Sequence, residues 1–145
     1  GDLPAHIRYL NGEKRSERWH LNGLMHREGD LPAEIGYYEN GQKQYEAWYR
    51  KGQLFREADL PVIIRYYETG QKKCEAWNYN SDSDSPTEIG YYENGIKEYE
   101  WWHRNELFHR EKDLPAEISY YESGQKEFEN IKLLLLTGCP LRRRR

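Results

Sequence analysis

A turn glycine sets the frame of this chain. Counted from Gly12, Gly41, Gly70, Gly95 and Gly124, the same residue types return at the same offsets. A lysine follows two residues later: Lys14, Lys43, Lys72, Lys97 and Lys126. A glutamate follows five later: Glu17, Glu46, Glu75, Glu100 and Glu129. Seven later stands Trp19, Trp48, Trp77 or Trp102, with Ile131 in the fifth copy. Before the turn comes a Tyr-Tyr pair, Tyr37-Tyr38, Tyr66-Tyr67, Tyr91-Tyr92 and Tyr120-Tyr121; the first copy keeps only Tyr9 and is one residue shorter there. Each copy opens on Asp-x-Pro, and the aspartates Asp2, Asp30, Asp59, Asp84 and Asp113 lie 28, 29, 25 and 29 residues apart. A fixed period of this size marks an array of repeats in which each copy buries its apolar surface against its neighbours. A single copy is too small to fold alone.

The array supplies its apolar area in an unusual form. Only 26 of 145 residues are Leu, Ile, Val or Phe, and the mean hydropathy is −1.14. Such values alone suggest disorder. Thirteen Tyr and five Trp replace the missing area with rings, and a Tyr-rich, β-favouring composition points to sheet. The expected fold is all-β: an elongated single-layer antiparallel meander of tandem hairpin repeats, with two or three short strands per repeat.

In the copy beginning at Asp30, residues 33–39 read as a strand and residues 42–50 as its return. Asn40-Gly41 between them predicts a type I′ turn, which needs φ > 0 at both residues. Lys51-Gly52, matched by Asn22-Gly23, predicts a second turn into a short third strand over residues 53–57. Pro61 then ends the strand region, because proline cannot donate to a ladder. One alternative stands beside this. Tyr45 and Trp48 are three apart, which fits one face of a short helix or the two faces of a strand, with Trp inward and Tyr outward.

The third copy lacks four residues of the second turn and third strand, and residues 81–85 form a polar loop in their place. Asn105-Glu106 in the fourth copy predicts a looser second turn. The array is expected over residues 1–129, in copies at about 2–29, 30–58, 59–83, 84–112 and a partial 113–129. Residues 130–145 are an unmatched Leu/Arg tail. The chain opens at Gly1, at the start of a repeat, so further repeats are expected upstream.

The pattern aromatic-Asn-Gly-Lys-x-x-Glu-x-Trp-x-x-Asn-Gly resembles MORN repeats. The Tyr-Tyr-Glu-Asn-Gly and His-Arg-Glu-x-Asp-Leu-Pro-Ala motifs look most like the longer variant found in tandem in giant DNA viruses of the marseillevirus type. The resemblance covers Asp2 to Glu129. It implies a scaffold, dimerisation module or lipid-binding array, and in the viral case a virion or capsid-associated component.

Little else in the chain suggests chemistry. His26 and His109 occupy one slot of the repeat, which holds Phe55 in the second copy. A ligand or general base would not alternate with Phe, so surface or packed rings are expected and no metal. The Glu and Lys columns read as cross-strand charge pairs on a solvated face. No nucleophile triad, phosphate loop or metal-spaced cysteine pair is present. No enzymatic activity, cofactor or small-molecule substrate is expected.

The aromatic columns, Tyr37, Tyr66, Tyr91 and Tyr120 with Trp19, Trp48, Trp77 and Trp102, are read as the repeat-stacking core. A net charge of −3 disfavours nucleic acid as partner. Arg142, Arg143, Arg144 and Arg145 are the one basic patch and would be the contact to an anionic membrane surface. Two cysteines, Cys74 and Cys139, favour a reducing compartment, so the chain is expected in a virion if viral and in the cytoplasm otherwise. The leading expectation is a structural, protein-binding scaffold within a large assembly. A peripheral tether on anionic lipid and, more distantly, an antitoxin-like binding module are the alternatives.

Overall fold

A computed structural model describes residues 3–57, 59–78, 85–104, 107–111 and 114–130. The described residues are all strand, turn and coil, so the short helix weighed for residues 42–50 is replaced by strand. In chain order the strands are β1 (His6–Leu10), β2 (Glu13–Arg18), β3 (His20–Leu21) and β4 (Leu24–Met25). Then come β5 (Glu34–Tyr37), β6 (Lys43–Ala47), β7 (Tyr49–Arg50), β8 (Gln53–Leu54), β9 (Ile63–Tyr66) and β10 (Lys72–Ala76). The described residues finish with β11 (Glu88–Tyr91), β12 (Lys97–Trp101), β13 (His103–Arg104), β14 (Leu107–Phe108), β15 (Glu117–Tyr120) and β16 (Lys126–Asn130).

Ten of these strands form one open antiparallel sheet in the order β1-β2-β5-β6-β9-β10-β11-β12-β15-β16. The order follows the sequence, so each copy adds one hairpin beside the last. At the usual strand spacing of ~4.8 Å, nine gaps span roughly 43 Å. In copies one to four the run after the first turn glycine leaves the sheet at its Trp. In copies one, two and four the next two residues pair backwards, giving the small hairpins β3/β4, β7/β8 and β13/β14. Adjacent small hairpins touch: the Gly52 N–H donates to the Met25 carbonyl at 2.9 Å.

Two kinds of turn close the hairpins whose turns are among the described residues. Asn11-Gly12, Asn22-Gly23 and Lys51-Gly52 all have positive φ at both residues, as a two-residue I′ turn requires. The first turn of copy two differs from expectation. Gly41 has φ +79° while Asn40 is not left-handed. The Gly41 N–H donates to the Tyr38 carbonyl at 3.1 Å, and the Tyr38 N–H to the Gln42 carbonyl at 2.9 Å. This is a three-residue loop, a type I turn closed by glycine. The same bonds recur at Gly70, Gly95 and Gly124. The residue missing from copy one is therefore absorbed by a change of turn type.

A bulge follows each first turn. Tyr37 faces Lys43 and Gly36 faces Tyr45, leaving Gln44 as the extra residue. Matching shifts occur in the other four copies. An extra residue changes the parity of the strand, so residues three apart share a face. One sheet face thus carries Ile35, Tyr37, Lys43, Glu46 and Trp48; the other carries Glu34, Gly36, Tyr45 and Ala47.

On this second face the Tyr45 ring lies over Gly36, and a Cβ there would come within 2.2 Å of the ring. Gly90 sits under Tyr99 in the same way, at 2.1 Å. In copy three the pair is Arg65 opposite Cys74, with guanidinium to sulfur at 3.6 Å. Gly36→Arg alone should therefore destabilise the chain by about 1–3 kcal/mol, the usual scale of overpacking. Adding Tyr45→Cys should restore most of that loss, measured as urea midpoints. A double variant no more stable than Gly36→Arg would contradict the pairing.

Candidate functional site

The first face is built from two columns that run across the copies. The first is Tyr–Glu–Lys. Tyr37 donates its hydroxyl to Glu17 of the preceding copy at 2.5 Å. Tyr66 does so to Glu46 at 2.6 Å, Tyr91 to Glu75 at 2.7 Å and Tyr120 to Glu100 at 2.5 Å. Each carboxylate also takes a lysine ammonium from its own strand: Lys14 at 3.1 Å, and Lys43, Lys72 and Lys97 at 2.6 Å. Glu46 and Glu75 are buried. The expected picture of cross-strand Lys–Glu pairs on a solvated face is corrected here. The pairs lie within one strand, brought to one face by the bulge, and the carboxylate is covered.

The second tyrosine of each pair bridges the same junctions differently. Tyr38, Tyr67 and Tyr92 each donate to the backbone carbonyl of the next copy's first tyrosine (Tyr66, Tyr91 and Tyr120), all at 2.7 Å. Copy one has Leu10 in this slot, and no such bond. The turn glycines Gly12, Gly41, Gly70, Gly95 and Gly124 all have positive φ.

The second column is Trp–Arg. Arg27 lies over the Trp19 ring at 3.6 Å, and Arg56 over Trp48 and Arg110 over Trp102, both at 3.9 Å. Stacking on an aromatic face suits guanidinium, a weakly hydrated planar cation. Each guanidinium also donates to the carbonyl of the proline opening the next copy: Pro32 at 3.2 Å, Pro61 at 3.2 Å and Pro115 at 3.4 Å. Arg56 further grips both oxygens of Asp30, at 2.8 and 3.0 Å. Trp19, Trp48 and Trp102 are buried; Trp77 is half-buried. In the His-Arg-Glu motif it is the arginine, and not the histidine, that makes the repeated contact. Its recurrence at Arg27, Arg56 and Arg110 was the available signal.

His26 is buried, with Glu28 at 2.7 Å and the Lys51 N–H donating to its Nδ1 at 3.2 Å. It ties copy one to the second turn of copy two. Cys74 is buried and its thiol is pushed up by burial, which makes it a poor nucleophile. Among the described residues no group of three or more His, Cys, Asp or Glu is placed to hold a metal ion. Also among them, no helix is long and apolar enough to cross a membrane. Arg142–Arg145, Cys139, Ile131, the Asn105-Glu106 turn and most of the polar loop at residues 81–85 lie outside the described residues. Comparison with known proteins finds no family model, no curated protein and no solved structure that matches the chain.

The first column has a pH signature. At Glu17, burial raises the carboxyl's affinity for a proton, but the Tyr37 hydroxyl and Lys14 outweigh it and hold it below its ordinary 4.5. Glu100 is held down in the same way against burial by Lys97 and Tyr120. Burial and Glu100 push the Tyr120 hydroxyl up to about 12, and Tyr37, Tyr66 and Tyr91 are raised further. A lowered carboxyl stabilises the fold above 4.5 and loses that contribution as pH falls through the folded value. A raised phenol contributes fully below its ordinary 10 and loses that contribution as pH rises towards the folded value. Urea midpoints should therefore fall below pH 4.5 and again above pH 10. Tyrosinate absorbance of the native chain should show a late-titrating group that Glu46→Gln and Glu75→Gln bring earlier. A single titration near 10 would contradict the column.

Proposed function

We propose that this chain is a non-enzymatic scaffold of the MORN-like kind, a protein-binding component of a large assembly, most concretely of a giant-virus virion or capsid. The observation that carries this reading is where the reactive side chains are used. Carboxylates, phenols and guanidinium groups with the potential for chemistry are paired with each other at the same place in successive copies. That arrangement transmits rigidity along a sheet and leaves no special copy for catalysis. The two edges of the sheet carry half-junctions of the same design. Tyr9 on β1 is 60% exposed, and its hydroxyl has no acceptor among the described residues. Glu129 on β16 has Lys126 at 2.7 Å, but its side chain is 45% exposed, against 11–12% for Glu46, Glu75 and Glu100. Edge strands of this kind are suited to receiving a further strand from a neighbour.

Sedimentation of detergent-treated native material, with the pellet assayed by peptide mass spectrometry, tests the reading. The chain should pellet with large particles at a constant ratio to their other proteins. If it leaves the pellet once lipid is stripped and floats with anionic liposomes until salt is added, the scaffold reading fails and the chain is a peripheral membrane tether.

A further inference from the structure

Among the described residues, the third copy is the one in which no arginine covers the repeat tryptophan. In copies one, two and four the Trp–Arg unit has a common plan. The residue before the arginine donates its N–H to the Trp carbonyl: His26 to Trp19 at 3.0 Å, Phe55 to Trp48 at 3.1 Å and His109 to Trp102 at 2.9 Å. The guanidinium then covers the Trp ring, reaches the next proline carbonyl and, in copy two, grips the aspartate that opens the copy. In copy three the deletion removes the segment that would supply these groups. Residues 78–86, NYNSDSDSP, contain no lysine or arginine.

The receiving half is nevertheless in place. Trp77 is oriented like Trp48: its Nε1 donates to the Asp59 carbonyl at 2.7 Å, where Trp48 donates to Asp30 at 3.1 Å. Asp59 has φ +52°, matching φ +53° at Asp30. Among the described residues no cation lies over the Trp77 ring. Nor does any donor there reach the Trp77 carbonyl, the Pro86 carbonyl or the Asp59 carboxylate. Asp59, Trp77 and Pro86 line a groove of about 300 Å³ whose wall also includes Arg56, Leu60, Val62 and Ile89. Ile89 is half-buried, whereas its counterparts Ile35, Ile64 and Ile118 are buried.

We propose that this groove binds an arginine side chain presented by an extended segment of a partner protein, in the form aromatic-Arg. The ring face, the Asp59 carboxylate and the carbonyl select a cation beside Arg56, as the filled groove of copy two holds Arg56 beside Arg27. The fork of guanidinium selects arginine over lysine, since the filled copy uses it to grip both carboxylate oxygens. The Trp77 carbonyl selects a peptide over a free guanidinium, because the filled copies satisfy it with a backbone N–H. The proposal rests on reading the chain as an interaction scaffold and names the chemistry of one partner contact.

The test uses the full chain, labelled with nitrogen-15, and the capped dipeptide N-acetyl-Phe-Arg-amide. The five Trp indole N–H signals are followed, with Trp77 assigned through Trp77→Phe. The Trp77 signal should shift saturably in the millimolar range, while those of Trp19, Trp48 and Trp102 hold still. The Phe-Lys dipeptide should bind about five-fold or more weaker, and Asp59→Asn should weaken Phe-Arg binding by a similar factor. No movement of Trp77, or equal binding of the lysine and arginine dipeptides, overturns the proposal. A response seen only after Arg142–Arg145 are replaced by glutamine also overturns it, because the chain's own tail would then be the occupant. Particle association can fail while Trp77 still answers to the dipeptide, and the reverse, so the two readings are separable.

Discussion

A buried carboxylate needs partners, and in this chain the partners come from two copies at once. Glu46 takes Lys43 from its own strand and the Tyr66 hydroxyl from the next copy. Neither alone would satisfy a group with so little access to water. An ionised acceptor left short of partners in such a place costs more than an ordinary hydrogen bond gains. The consequence is a coupling between neighbours that has direction: each copy offers a carboxylate forward and a phenol backward. Backbone pairing between β6 and β9 adds the ladder, but ladders are tolerant of slippage where a sheet face is polar. The Tyr–Glu bond fixes register, because a shift of one residue would carry the phenol to the other face.

The bulge is what makes that bond geometrically available. Without an extra residue after the first turn, lysine and glutamate three apart would lie on opposite faces, and the carboxylate would lose its cation. The three-residue loop supports the same arrangement. It puts the second tyrosine where its hydroxyl reaches the next copy's backbone, as Tyr38 does to Tyr66. Copy one, with a two-residue loop and Leu10, keeps the carboxylate bond and lacks the backbone one. A repeat protein of this type gains its stability from nearest-neighbour terms. The deletion in copy three is tolerated for that reason: Glu75 and Tyr91 still meet across the junction at 2.7 Å, while the Trp–Arg unit beside them is left half made.

Much of the fold was legible because the repeat shows each position several times over. Strands, turns, the absence of a strict two-residue alternation and the aromatic columns could be read from fixed offsets. The turn type was misread because Asn-Gly does not reveal loop length. Thr69-Gly70 and Ser123-Gly124 held the clue, since threonine and serine avoid positive φ and their slot therefore had to be right-handed. The Lys–Glu geometry was misread because the bulged residues, among them Gln44 and Glu98, are polar and do not disturb the pattern. The arginines went unnoticed for a different reason. Their role depends on the tryptophan ring eight residues earlier, and only the small hairpin brings the two together.

Neighbouring copies are coupled through the Tyr–Glu bond, and a double-mutant cycle on Tyr66→Phe and Glu46→Gln measures that coupling directly. Each single change should destabilise the chain, and the double variant should be less damaged than their sum, by about 1 kcal/mol or more. The same cycle on Tyr92→Phe and Glu46→Gln, which share neither a bond nor a partner, should be additive. Additive behaviour of Tyr66 and Glu46 would contradict the account and leave the backbone ladder alone as the link between copies.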